Sequence, residues 1–301
     1  MAGIPNFFIV GAPKCGTTAL YEYLRPHPHI FMPEIKEPHY FARDMGGYPR
    51  IKTPEEYAAL FAPATDQHLA VGEASVYYLR SSVAISNIRA FNPDARILAM
   101  FRNPVDMVHA LHSQLLYVSE ENVNDFEAAW RLQEQRRRGL DLPPGIRSPL
   151  LVQYEEVGRL GTQLERLLAS FPRSRAKLIL YDDFAASPQR VYDDVLEFLE
   201  LPPTGQTRFP RINENKRARL EWLGRFYRKP PSALRRAFRG LKQALGADEV
   251  AAVKQWIVDL NTVRERRPTL SPQFRAELVE TFRGEVQLLS RLLERDLSHW
   301  A

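Results

Sequence analysis

Residues Asn6–Thr18 read NFFIVGAPKCGTT, and this stretch restricts the fold more than any other. The apolar run Phe7–Val10 has the length and composition of a buried strand, and it stops at Gly11. Pro13, Lys14, Cys15, Gly16, Thr17 and Thr18 follow, and Ala19 to Leu24 continue with helical spacing. A strand, a tight loop and a helix N-terminus together hold a phosphate, because loop N–H groups and the helix dipole both face the anion. Lys14 adds a mobile cation, and the two threonines add hydroxyl donors. The Walker pattern requires Gly-Lys directly before Ser or Thr. Here Gly16 is followed by Thr17, and the lysine lies two positions before that glycine. The loop therefore reads as a cradle for a phosphate-bearing ligand other than a Mg-bound triphosphate.

The 301 residues suffice to bury a large core. Residues 1–301 are expected to form a single domain, with a basic helical segment about 216–245 and C-terminal helices 246–301 packed on it. No apolar run approaches the roughly 20 residues of a membrane span. The N-terminus lacks the basic region, long apolar segment and cleavage site of a secretory signal. One cysteine allows no intrachain disulfide and fits a reducing compartment. A cytoplasmic protein is the expectation. The net charge is +5, but ten Lys and Arg stand against the single acid Glu221 between Lys216 and Lys242, so the remainder is net acidic. A cationic concentration of this kind suits an anionic partner: cofactor phosphates, an acidic acceptor or a membrane surface.

Strand-like runs alternate with helical periods. Strands are expected at Phe7–Val10, Leu69–Gly72, Arg96–Phe101 and Lys177–Tyr181. Helices are expected near 16–26, 81–91, 104–117, 126–133, 160–171, 188–199, 248–264 and 272–295. Asn103 can cap the helix that follows the third strand, with Pro104 at its first position. The segment 139–150 is rich in Pro and Gly and reads as a loop. Alternation of this kind predicts a mainly parallel sheet wrapped by helices, with right-handed crossovers. Ligands in such folds sit at the carboxyl ends of the strands. The first loop, Arg102 and Asp182–Asp183 all fall at such ends.

Pro13-Lys14-Cys15-Gly16-Thr17-Thr18 after a buried strand resembles the 5′-phosphosulfate loop of sulfotransferases that use 3′-phosphoadenosine-5′-phosphosulfate (PAPS). The resemblance implies an α/β, P-loop-NTPase-like three-layer fold with a central mainly parallel sheet flanked by helices. It assigns Pro13 to Thr18 to cofactor binding, with Lys14 also catalytic. Arg102, at the end of RILAMF, matches the arginine that grips the 3′-phosphate in that family, a task suited to its planar fork of donors. The family's serine eight residues later is absent: position 110 is alanine, and Ser113 lies three residues further on a similar helix face. At that gap Ser113 substitutes, His109 or His112 substitutes, or the chain binds PAPS less tightly than its relatives, with structural roles favoured for both histidines.

Lys36-Glu37-Pro38-His39-Tyr40-Phe41 is similar to the Lys-Glu-x-His-Phe-Phe segment of glycan-type and many bacterial sulfotransferases. There the glutamate acts as catalytic base, which assigns Glu37. His39 is the rival base with the better intrinsic pKa, and Glu73, in Gly72-Glu73-Ala74-Ser75, is the third candidate. A late basic loop closes over the cofactor in the family, which points to Lys216 and Arg217. The tail through Trp300 also resembles bacterial members, with Trp300 read as core packing. The implied reaction moves a sulfuryl group from PAPS to a hydroxyl or amine, leaves adenosine 3′,5′-bisphosphate and requires no metal. Small-molecule, glycan and lipid acceptors are all open, and no nucleic-acid partner is expected. A P-loop-like nucleotide or small-molecule kinase is the alternative, and a non-catalytic polyanion binder comes third.

Overall fold

The computed structural model describes residues 3–210, 212, 216–219, 260–264 and 267–300. It places the first apolar run at the centre of a sheet. Phe7, Phe8, Ile9 and Val10 are each 0% exposed, and they form β1 (Phe7–Gly11). A strand covered on both faces reads as a continuous apolar run, which is why no polar alternation appears here. Each fully buried Phe or Ile contributes about 1.5–3 kcal/mol relative to an exposed one.

Four further strands join it: β2 (Ile30–Phe31), β3 (Ala70–Ala74), β4 (Arg96–Phe101) and β5 (Ala176–Leu180). Their order is β2-β3-β1-β4-β5, and every pairing is parallel. The chain fills one side of β1 with β3 and then crosses to the other side with β4. That reversal opens a crevice at the carboxyl ends of β1 and β4, where an open parallel sheet binds ligands. Gly72 is required by this packing. It pairs with Phe7, and a Cβ there would lie 2.1 Å from the Phe7 ring and 2.5 Å from the Met32 sulfur.

Helices α1 (Thr17–Leu24), α2 (Pro54–Ala59), α3 (Ala84–Phe91) and α4 (Pro104–Tyr117) come next along the chain. They are followed by α5 (Phe126–Arg131), α6 (Gln133–Arg137), α7 (Tyr154–Gly158) and α8 (Leu160–Ser170). The last are α9 (Tyr181–Ala186), α10 (Pro188–Phe198) and α11 (Pro272–Leu293). α1 packs with α10, and α8 packs with both α3 and α11. The sheet and helices α1, α3, α8, α10 and α11 belong to one compact unit, made of Met1–Val108, Glu155–Asn213 and Ser271–Ala301.

The second unit comprises His109–Tyr154 and Glu214–Leu270. Its described part centres on a wholly buried ion pair, in which Arg136 donates to both Glu121 oxygens at 2.7 and 2.8 Å. The Tyr154 hydroxyl adds a third bond to Glu121 at 2.7 Å. Removing one partner of such a pair costs about 3–5 kcal/mol, because the other charge is left buried.

Most expected elements occur within a residue or two. The helix expected over 126–133 is instead two short helices, α5 and α6, which meet at Leu132. The helix expected near 248–264 and the basic helical segment about 216–245 fall largely outside the described residues. Among the described residues there, 216–218 and 262–264 are extended. β6 (Lys216–Ala218) pairs antiparallel with β7 (Thr262–Arg264). The β-branched Thr262 and Val263 favour that ladder over a helix.

Candidate active site

The loop between β1 and α1 has the backbone of a cradle. Gly11 has φ +141°, and a Cβ there would meet the Val76 carbonyl oxygen at 2.5 Å. Lys14 takes φ 61° and Gly16 φ 91°. Positive φ is costly for a residue with a Cβ, and such strain collects at functional sites. Gly16 is the N-cap of α1 and has no side chain to cap it. Lys14 is half-buried, as is Thr18, while Thr17 is only 3% exposed. Cys15 does not present its thiol to the crevice. The group is buried and donates to the Pro13 carbonyl at 3.4 Å. Burial pushes its pKa up to about 12 against the pull of Arg102, so it stays a neutral thiol and only its backbone is suited to phosphate.

Arg102 leaves the end of β4 and closes the other side of the cradle. Its Nη1 donates to the Lys14 carbonyl at 3.3 Å. Its guanidinium lies 4.5 Å from the centre of the Tyr181 ring at the start of α9. The carboxyl ends of β1, β4 and β5 thus converge on one cationic group, as their shared position in the sheet predicts. Asn103 caps α4 as expected, its side-chain oxygen accepting from Val105 N at 2.9 Å.

Asp182 and Asp183 face the C-terminal tail. Trp300 Nε1 donates to Asp182 at 2.8 Å, and Arg295 donates to Asp183 at 3.1 and 3.2 Å. Trp300 is buried, as expected for core packing. Its indole N–H also has a charged acceptor, which the sequence reading did not anticipate.

The second cluster forms at the end of β3, the strand beside β1. Glu37 and His39 both have positive φ, 62° and 54°. Their loop is stitched to β3 through the Glu37 N–H, which donates to the Ala74 carbonyl at 2.9 Å. His39 N–H donates to Ser75 Oγ at 3.0 Å. The Glu37 carboxylate lies 2.6 Å from Lys36 Nζ and 3.5 Å from His39 Nε2. Burial pushes this carboxyl up, but the Lys36 ammonium and the His39 imidazole together outweigh it and hold it well below the usual carboxylate range. The Glu37 side chain is 27% exposed against 2% for His39. His39 sits among the rings of Tyr48, Tyr77 and Tyr78.

Glu73 lies beneath this loop, 0% exposed. It accepts from Tyr57 at 2.8 Å, Tyr78 at 2.9 Å and Ser75. Burial raises its pKa to about 7, against the opposing pull of the three hydroxyls. Both oxygens of Glu73 are taken by hydroxyls, which makes it the least accessible of the three candidate bases. Ser75 stands two residues after Glu73, and period-2 spacing on a strand was a signal that could have linked them. Tyr57, Tyr78 and Tyr181 gave no such signal, because only the fold brings them to these partners.

Ser113, His109 and His112 belong to the second unit. The Ser113 hydroxyl donates to the His109 carbonyl one turn back at 3.3 Å. His109 stacks on Phe126, with ring centres 5.5 Å apart. His112 is buried, with Nε2 2.9 Å from the Val123 carbonyl, and burial lowers its pKa. Lys216 and Arg217 lie on β6.

The Sulfotransferase domain profile matches residues 5–219. Carbohydrate sulfotransferase 15 of Rattus norvegicus is 27% identical over 257 residues, which cover 67% of this chain and 45% of that protein. Heparan sulfate glucosamine 3-O-sulfotransferase 6 of Homo sapiens is 32% identical over 112 residues, 37% of this chain and 31% of that protein. The chain thus spans less than half the length of these curated relatives. The crystal structure of a sulfotransferase from Alicyclobacillus acidocaldarius superposes with a TM-score of 0.70 at 29% identity, covering 98% of both chains.

Proposed function

This chain belongs to the sulfotransferase family, and from that premise we propose that it transfers a sulfuryl group from PAPS to a hydroxyl or amine by in-line displacement. The observation that carries the proposal is the convergence of Arg102 on the Lys14 carbonyl and the Tyr181 ring. It supports one anion site built from three strand ends. The cradle suits the donor: positive-φ backbone at Lys14 and Gly16 for the 5′-phosphate, and a stacked, oriented guanidinium for the 3′-phosphate. Bound PAPS supplies the sulfuryl group and departs as adenosine 3′,5′-bisphosphate.

Lys14 and the loop N–H groups stabilise the charge that builds on the oxygen released by sulfur. Thr17 and Thr18 hold the 5′-phosphate, with the Pro13, Cys15 and Gly16 backbone around it. Arg102 orients the nucleotide through its 3′-phosphate. Glu37 takes the acceptor's proton. It is the more exposed member of the Glu37–His39 pair, and it is ionised at neutral pH. Its low basicity suits a late transfer, after bonding to sulfur has made the acceptor's proton acidic. His39 orients it from the buried side. Ser113, Lys216 and Arg217 enter the proposal through the family resemblance alone. The names of the relatives support a carbohydrate acceptor.

Thermal shift tests the reading. Adenosine 3′,5′-bisphosphate without metal should raise the melting temperature, with about 2.7 kcal/mol of stabilisation at a hundred times its Kd. Stabilisation by ATP–Mg in its place would favour the kinase. Incubation with labelled PAPS and a cell extract then identifies the acceptor by the label it gains.

A further inference from the structure

Two residues next to Arg102 and the Tyr181 ring beneath it attach to the same point of the C-terminal tail. Asn103 follows Arg102 in the chain, and its Nδ2 donates to the Trp300 carbonyl at 3.1 Å. Asp182 follows Tyr181, and its carboxylate accepts from Trp300 Nε1 at 2.8 Å. Trp300 therefore ties the end of β4 to the start of α9 at the place where the Arg102 guanidinium rests 4.5 Å above the Tyr181 ring. The tail has further attachments: Leu297 is 0% and Trp300 4% exposed, and Arg295 pairs with Asp183. These contacts hold the tail in place independently of the indole N–H.

We infer that Trp300 is a positioning residue for Arg102, setting the orientation of the guanidinium toward the 3′-phosphate of the donor nucleotide. The inference rests on the proposed function above. The physical reason is geometric. A bidentate contact between arginine and phosphate depends on the plane of the guanidinium. That plane is set by the ring beneath it and by the backbone that carries it. Trp300 bonds to the residues immediately after each.

The experiment compares binding of adenosine 3′,5′-bisphosphate with that of adenosine 5′-monophosphate, which lacks the 3′-phosphate, by calorimetry on the full chain. Trp300→Phe keeps an aromatic ring and removes the N–H. It should weaken the bisphosphate about tenfold, equivalent to ~1.4 kcal/mol, and leave the monophosphate unchanged. Asp182→Ala, at an exposed position, removes the acceptor instead and should reproduce the effect if Trp300→Phe folds poorly. In the Arg102→Ala background neither change should cost anything more, because the group being positioned is gone. Equal weakening of both nucleotides, or an unchanged preference for the bisphosphate, overturns the inference and leaves the active-site reading standing. Absence of that preference in the parent protein overturns both.

Discussion

Glu73→Gln isolates the buried carboxyl beneath the Glu37–His39 loop. Glu73 is wholly enclosed, and burial raises its pKa from the ordinary 4.5 to about 7. The native state therefore holds a proton on Glu73 between those values, where the unfolded chain has released it. Stability must fall as pH rises through that window, since the folded state binds more protons. The contribution is complete below 4.5 and is lost by about pH 7. At 1.36 kcal/mol per pH unit, the shift amounts to ~3 kcal/mol. Glutamine cannot ionise. Its oxygen still accepts from Tyr57 and Tyr78, while its amide donates to Ser75, whose hydroxyl must then rotate. Denaturant midpoints of parent and variant at pH 5, 6, 7 and 8 give the stability difference at each pH. Relative to the parent, the variant should gain about 2 kcal/mol on going from pH 5 to pH 8, because pH 5 already lies inside the window. Titrations elsewhere in the chain cancel in the difference. A difference that stays constant from pH 5 to 8 would show that three hydroxyls suffice to keep Glu73 ionised, and the burial argument would fail.

Other outcomes follow from the same geometry. Lys14→Ala should lower sulfuryl transfer from labelled PAPS by about 10²–10³-fold, with an unchanged melting temperature, because one transition-state contact is lost. Near-normal transfer would remove the loop from the mechanism. Glu37→Gln should depress transfer while leaving the affinity for adenosine 3′,5′-bisphosphate intact; calorimetry beside the transfer assay separates the two. Gly72→Ala places a methyl 2.1 Å from the Phe7 ring, and it should destabilise the sheet by about 1–3 kcal/mol in chemical denaturation.

The sequence carried the central sheet almost complete. Strands buried on both faces leave unbroken apolar runs, and Arg96–Phe101 was read with its observed bounds. Short elements escaped. β2 has two residues, too few for any periodicity, and α2 has six, although Thr53 and Glu56 form its capping box. The loop around Lys14 and the Glu37–His39 segment were legible because their chemistry is local: neighbouring residues along the chain build each group. That locality also let a helix be expected at 262–264, where the backbone partner is Lys216–Ala218, far away in sequence.

By itself, then, the order of residues determined a parallel α/β sheet, a strand–loop–helix turn of the kind that suits a phosphate after its first strand and an acid–imidazole pair some twenty residues later. Tertiary structure alone decided the surroundings of those groups. It enclosed Glu73 under three hydroxyls and turned the Cys15 thiol inward. It laid Arg102 over Tyr181 and brought Trp300 to Asn103 and Asp182. The reason is physical. Strand and loop identity follow from short-range pattern, whereas burial, pKa and guanidinium orientation depend on side chains that meet only after the chain has closed over itself.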